Sequence, residues 1–222
     1  LESSLIKKPK LFSKQWLHDR KLDIFPPAAQ EIVLTGRVES RHFADRLPTF
    51  DRIFNVNGIF QRSARHFRRT GRMTTIYIDN PPDIMHWTYP FPLKLAGAKN
   101  IYTIHDVVPL KLPYTTLDNK NFYFGLIKNI SNNSDAICTV SKSSLDDIIR
   151  FFPNSKNFIY NTYQSFSLPE KIVQRNYLNC SAEISSNFGL HPKSYFLFFG
   201  SLEPKKNIGR LIEAFLASGC KR

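Results

Sequence analysis

Between Thr74 and Asn161 short apolar runs alternate with amphipathic ones, and this alternation restricts the fold more than any other feature of the chain. TTIYI (74–78), DIMHW (83–87), NIYTIH (100–105), DAICTV (135–140) and NFIYN (157–161) have the length and the β-branched and aromatic content of strands. NKNFYFGLIKNIS (119–131) and SKSSLDDIIRFF (141–152) lie among them and read as helices. In the second, Leu145, Ile148, Ile149 and Phe152 recur at helical spacing. Ser141 is placed to cap it, with Asp146 and Asp147 near its electropositive end. Short strands separated by helices join as parallel neighbours through right-handed crossovers. The expected fold class is therefore α/β, with a Rossmann-like parallel sheet.

The flanks are less regular. Residues 1–30 are basic, contain Pro26-Pro27, and read as irregular or partly helical. EIVLT (31–35) is a short strand candidate. GIFQRSARHFRRTG (58–71) reads as a helix with Phe60, Ala64 and Phe67 on one face and Gly71 as its stop. Arg62, Arg65, Arg68, Arg69 and Arg72 cover much of the rest. A polar stretch follows Asn161, and within it residues 166–193 are expected to link two domains. SYFLFFGSL (194–202) reads as a buried strand and NIGRLIEAFLA (207–217) as a helix with a strict apolar face. One strand and one helix cannot bury their own faces as a free domain. Residues 1–165 are thus expected to form a first domain, and 194–222 the truncated start of a second Rossmann-like one.

A hydrophobic share of 42% and 19 Phe support a real core in 222 residues. No apolar run approaches the ~20 residues that cross a bilayer, and the first residues lack the apolar stretch of a signal peptide. Cys138, Cys180 and Cys220 fit neither a disulfide framework nor a zinc pattern, and point to a reducing, cytoplasmic setting. The formal charge is +13, concentrated in residues 1–72, where 15 Lys/Arg face 7 Asp/Glu. Such an excess favours polyanions: nucleic acid, anionic lipid or phosphorylated substrates. Nucleic acid is not expected, since no recognised binding motif is present and the aromatic residues fall in strands and helices.

Two places carry chemistry. His105-Asp106 ends an apolar strand and is followed by Pro109 and Pro113, which stiffen the loop. In an open α/β sheet the carboxyl ends of strands are where ligands bind. There a histidine can hydrogen-bond a sugar hydroxyl or donate a proton. A polar pair that merely ends the strand is the plain alternative. In FFGSLEPKKNIGRLIEAF (198–215), Gly200 permits close backbone approach, and Lys205-Lys206 precede a helix beginning near Asn207. Two ammonium groups at a helix N-terminus suit a diphosphate, although a solvated lysine pair in a turn has the same sequence. Trp87 and Tyr89, beside Pro90 and Pro92, could stack on an acceptor sugar or pack internally.

Taken in order, DIMHWTYPFPLKLAGAKNIYTIHDVVPLKLP, ICTVSKSSLDDIIRFF and YFLFFGSLEPKKNIGRLIEAF resemble the retaining family-four glycosyltransferases of the two-domain GT-B type. The resemblance covers residues 83–217. It implies two facing Rossmann-like domains, the first holding the acceptor and the second a nucleotide-sugar. By the same resemblance His105 is the cleft histidine with Asp106 beside it, and Ser141 and Ser144 match the family's V-S-x-x-S pattern. Lys206 binds the donor diphosphate, with Gly200, Ser201, Lys205 and Asn207 around it. Ser201 stands where many relatives carry Arg, and the family's two-glutamate motif lies beyond residue 222. No Asp-x-Asp is present, so neither metal nor cofactor is expected. The implied activity is hexose transfer from a GDP- or UDP-linked sugar, mannose first among them, to a saccharide or polyprenyl-linked acceptor in surface-polysaccharide synthesis. The cytoplasmic enzyme would rest on an anionic membrane face. An inactive transferase fragment and a basic nucleic-acid-binding protein are the alternatives.

Overall fold

The computed structural model describes residues 29–32 and 50–220. The expectations for residues 1–28 and for the part of the 31–35 strand beyond Ile32 lie outside the described residues. The described residues fall into two compact units. One runs up to Val107 and resumes over Asn119–Thr162; the other comprises Val108–Asp118 and the residues from Tyr163 onward.

The first unit begins with β1 (Gln30–Glu31), paired antiparallel to β2 (Phe54–Asn55). Helix α1 (Ile59–Thr70) follows, bounded by Gly58 and Gly71, both left-handed. The Gly71 N–H closes the helix on the Phe67 carbonyl. The buried face is Ile59, Ser63 and Phe67, a rotation from the expected Phe60–Ala64–Phe67 stripe. Phe60 is half exposed, its ring 4.5 Å from that of Phe91.

Strands β3 (Thr74–Ile76), β4 (Ile84–Trp87), β5 (Leu93–Leu95) and β6 (Lys99–Thr103) come next. β5 pairs parallel with β3, forming a two-stranded ribbon. After β6 the chain passes through α2 (Val108–Lys111), which belongs to the second unit. It returns in α3 (Lys120–Asn133), β7 (Ala136–Thr139), α4 (Lys142–Phe151) and β8 (Ile159–Asn161). The main sheet has the order β4-β6-β7-β8, all parallel. The α/β class read from the alternation is the class observed.

Both crossover helices start where their sequences direct. Asn119 caps α3 by accepting the Phe122 N–H at 2.9 Å, and Ser141 caps α4 by accepting the Ser144 N–H at 3.1 Å. The core combines Tyr102, Ile104 and Ile137 near the sheet with Leu126, Ile127 and Ile130 of α3 and Ile148 of α4. Each such aliphatic side chain contributes roughly 1.5–3 kcal/mol on burial.

The ribbon is tied to the main sheet by side chains. Asn100, at the start of β6, accepts the Leu95 N–H at 2.8 Å and the Trp87 Nε1–H at 3.0 Å. Its Nδ2 donates to the carbonyls of Leu95 at 3.0 Å and Ala98 at 2.9 Å. Two residues on, Tyr102 donates its hydroxyl to the Leu93 carbonyl at 2.5 Å. The amide and the phenol thus take the place of a backbone ladder between β5 and β6.

The second unit contains α2, α5 (Glu170–Val173), α6 (Tyr177–Phe188) and α7 (Ile208–Ala217). Helices α5 and α6 lie in the polar stretch read as a linker. Asn176 caps α6 at the Leu178 N–H, 2.8 Å away, and left-handed Gly189 ends it. The strand expected over 194–202 is not formed. An apolar run becomes a strand only with a partner for its N–H and C=O groups, and the described residues of this unit contain no other strand. Pro109 of α2 is buried, whereas none of this unit's described residues from Tyr163 onward is.

Candidate functional site

His105 follows the last residues of β6, at the carboxyl end of the main sheet. The Ile104 N–H bonds the Cys138 carbonyl at 2.9 Å, extending the β6–β7 ladder to the histidine's doorstep. The ring Nε2 lies 3.1 Å from the Thr88 carbonyl, in the loop after β4. A carbonyl oxygen only accepts, so Nε2 carries the hydrogen and Nδ1 of the neutral ring holds a lone pair. The His105 carbonyl accepts the Ser144 hydroxyl at 2.7 Å, and the Asp106 carbonyl accepts the Tyr123 hydroxyl at 2.6 Å. His105 is half-buried and Asp106 exposed, so a solute can reach both.

Ser141 belongs to the same cluster, although its hydroxyl is committed. It accepts the Ser144 N–H and donates to Ser144 Oγ at 3.0 Å. Tyr89 is half exposed, its ring 5.3 Å from Phe91. Trp87 requires a correction. It is 7% exposed, parallel to Tyr102 at 6.2 Å, with its ring N–H held by Asn100. Its place is in the packing, so it offers no open face for an acceptor sugar. Sequence reasoning missed Thr88 and Tyr123 because each acts through a partner 17 residues away in the chain, and Asn100 because its bonds to Leu95, Ala98 and Trp87 exist only once the turn before β6 has closed. The Tyr123 hydroxyl spacing along α3 gave no signal of its own.

In the second unit Gly200, Ser201, Lys205, Lys206 and Asn207 lie on one loop. Gly200 has φ 143°, a backbone that side chains rarely adopt, and an added Cβ would lie 3.6 Å from the Phe198 ring. A single 3₁₀ turn, Pro204–Lys206, leads into left-handed Asn207 and then α7. No side chain caps α7, which leaves its first amides for an outside acceptor. Glu203 accepts from Ser201 Oγ at 2.5 Å and pairs with Lys205 at 2.9 Å. Ser201 first, and Lys205 after it, hold the Glu203 carboxyl below its usual range, with a longer-range pull from Lys206. The loop thus already holds a carboxylate where the sequence suggests a diphosphate.

The described residues of the first unit line, among other cavities, an apolar one and a polar one. The apolar one, of about 490 Å3, sits among α1, β3, β4 and β5, lined by Ile59, Phe60, Ile76, Met85 and Leu95. Arg52 stands at its edge, forked onto Glu31 at 2.7 and 3.0 Å and donating to the Asp79 carbonyl. The polar one, of about 350 Å3, lies by the amino-terminal end of β6, lined by Arg72, Lys94, Asn129 and Asn133 among others. There Asn133 donates to Asn129, and Asn129 to the Gly71 carbonyl. Among the described residues no three His, Cys, Asp or Glu side chains converge as a metal site. Cys138, Cys180 and Cys220 are free thiols, and burial pushes that of Cys138 upward.

In open α/β sheets ligands bind beyond the carboxyl ends of the strands, and His105 and Asp106 lie at such an end. Residues 30–162 match the model of Glycosyltransferase Family 4, a span of more than half the sequence. The chain belongs to that family, and its class of activity is glycosyl transfer. No curated protein and no solved structure matches it.

Proposed function

We propose that the protein transfers a hexose from a GDP- or UDP-linked sugar to a saccharide or polyprenyl-linked acceptor, with retention, in surface-polysaccharide synthesis. Mannose is the hexose we place first. The observation that carries this reading is the His105–Asp106 pair, held at the carboxyl end of the sheet inside the segment that matches the family. Residues up to 165 serve the acceptor, and those from 194 onward the nucleotide-sugar. As the glycosidic bond breaks, charge builds on the departing diphosphate. Lys205, Lys206 and the uncapped start of α7 would neutralise it. Lys205 would exchange Glu203 for a phosphate oxygen. Asp106 and His105 would bind hydroxyls of the sugar or acceptor.

The test is transfer by the 222-residue chain from GDP- and UDP-hexoses to saccharide and polyprenyl-linked acceptors. Products are read by mass spectrometry, and the new anomeric centre by NMR. We expect a retained anomer and a loss of roughly 100-fold in kcat for His105→Ala and for Lys206→Ala. Near-normal turnover by both variants defeats the site. Binding of donor without turnover favours an inactive relative.

A second reading concerns location. Helix α1 has no acidic residue, and Arg68, Arg69 and Arg72 are exposed. Among the described residues no helix is long and apolar enough to cross a membrane. A cytoplasmic enzyme resting this face on anionic lipid would gain about 1 kcal/mol per basic residue near the surface. Equal, negligible binding to anionic and neutral vesicles removes the idea.

A further inference from the structure

The His105 segment is held from three directions by groups that belong to three different parts of the unit. Thr88, after β4, receives the ring Nε2–H at 3.1 Å. Ser144, in the first turn of α4, donates to the His105 carbonyl at 2.7 Å. Tyr123, in α3, donates to the Asp106 carbonyl at 2.6 Å. Ser144 is 9% exposed, and a serine in a first helical turn commonly turns its hydroxyl to its own helix. Here it crosses to the end of a neighbouring strand instead. The Ser141 hydroxyl feeds it at 3.0 Å, so two hydroxyls in series end on the His105 peptide. Such chains polarise one another, and each member fixes the next.

Those bonds decide what the imidazole can offer. With both carbonyls of the dipeptide tied down, the ring reaches Thr88 and keeps its hydrogen on Nε2. The lone pair on Nδ1 is then the ring's only acceptor. A small rotation of the His105 peptide would lengthen the 3.1 Å contact, free the ring and let the hydrogen move between nitrogens.

We propose that Ser144 and Tyr123 are positioning residues, which clamp the His105 and Asp106 carbonyls and so fix the tautomer and direction in which His105 meets a substrate hydroxyl. This rests on the reading of His105 as the residue that meets the sugar, but the first measurement does not. Side-chain 15N NMR of the full chain, at about pH 8 where a histidine of ordinary pKa is neutral, reports the tautomer, with His105→Ala assigning the signal. We expect an Nε2–H pattern in the wild type and in Ser144→Thr, which keeps the hydroxyl. Ser144→Ala and Tyr123→Phe should give a mixed tautomer while the other histidine signals stay in place. In transfer assays the same two variants should lose about tenfold in kcat, with donor KM within about twofold. Unchanged His105 signals in both overturn the proposal. Should Ser144→Ala fail to fold, Tyr123→Phe decides alone. A tautomer change in a chain that transfers nothing supports the clamp and counts against the transferase site.

Discussion

Asn100 uses its side chain as a neighbouring strand would use its backbone, bonding both the N–H and the carbonyl of Leu95. All four of its hydrogen-bonding positions are filled in a buried place, so truncation leaves several orphaned partners. Asn100→Ala should cost roughly 2–4 kcal/mol, since each buried group left unpaired costs ~1–3. Chemical denaturation measures it, and a midpoint like that of the wild type would refute the role. Its neighbour Asp135 makes a pH test. The Asn100 backbone N–H at 2.8 Å, and after it Lys99, hold the Asp135 carboxyl below the usual range. A carboxylate lowered on folding stabilises the native state above its unfolded pKa, and the gain fades as pH falls through the folded one. Asp135→Asn should therefore be less stable than the wild type at neutral pH, with the gap closing in acid. Denaturation midpoints across an acid series read the convergence. The site followed the same division. His105-Asp106 was legible because a polar pair ending an apolar run is a local signal. Thr88, Tyr123 and Ser144 act on it through the tertiary fold, which spacing along the chain does not encode.

The turn between β5 and β6 shows how an element depends on one backbone position. Gly97 has φ 77°, and an added Cβ would come within 2.9 Å of the Pro81 ring. Gly97→Ala combines a left-handed penalty of about 1–2 kcal/mol with displacement of that proline. A clear fall in Tm is expected, and an unchanged Tm would show that the turn relaxes freely. At this scale the long periodic stretches were read correctly: α4, β7 and β8 lie within their expected segments, while α3 runs two residues past the end of its own and β6 starts one residue early. β5 was missed because three residues between Pro92 and a glycine turn carry too little pattern, and its existence depends on β3 and on Asn100. The 194–202 run was over-read for the converse reason. Apolar residues signal a wish to be buried, and only a partner strand makes that wish a strand. In α1 three aromatic and alanine positions suggested the face, yet Ser63 lies at 0% exposure where Phe60 does not.

Across the molecule the two units differ in what holds them. The first has a core around α3, β6 and β7, whereas Leu202, Leu216 and Phe199 of the second are largely exposed. Hydrogen exchange should then rank the amides of β6 and β7 as the slowest, with those of 163–220 exchanging through local opening of low free energy. Equal protection in both would show that the second unit is stabilised by contacts beyond those described. Within the first unit, the attachment of the β3–β5 ribbon has a chemical corollary. Direct hydrolysis of the Asn100 side-chain amide to a carboxylate would trade one nitrogen for an oxygen and leave the outline of the side chain nearly unchanged. Two lone pairs would then confront the oxygens of Leu95 and Ala98, and the join between ribbon and sheet would be opened by the loss of ammonia alone.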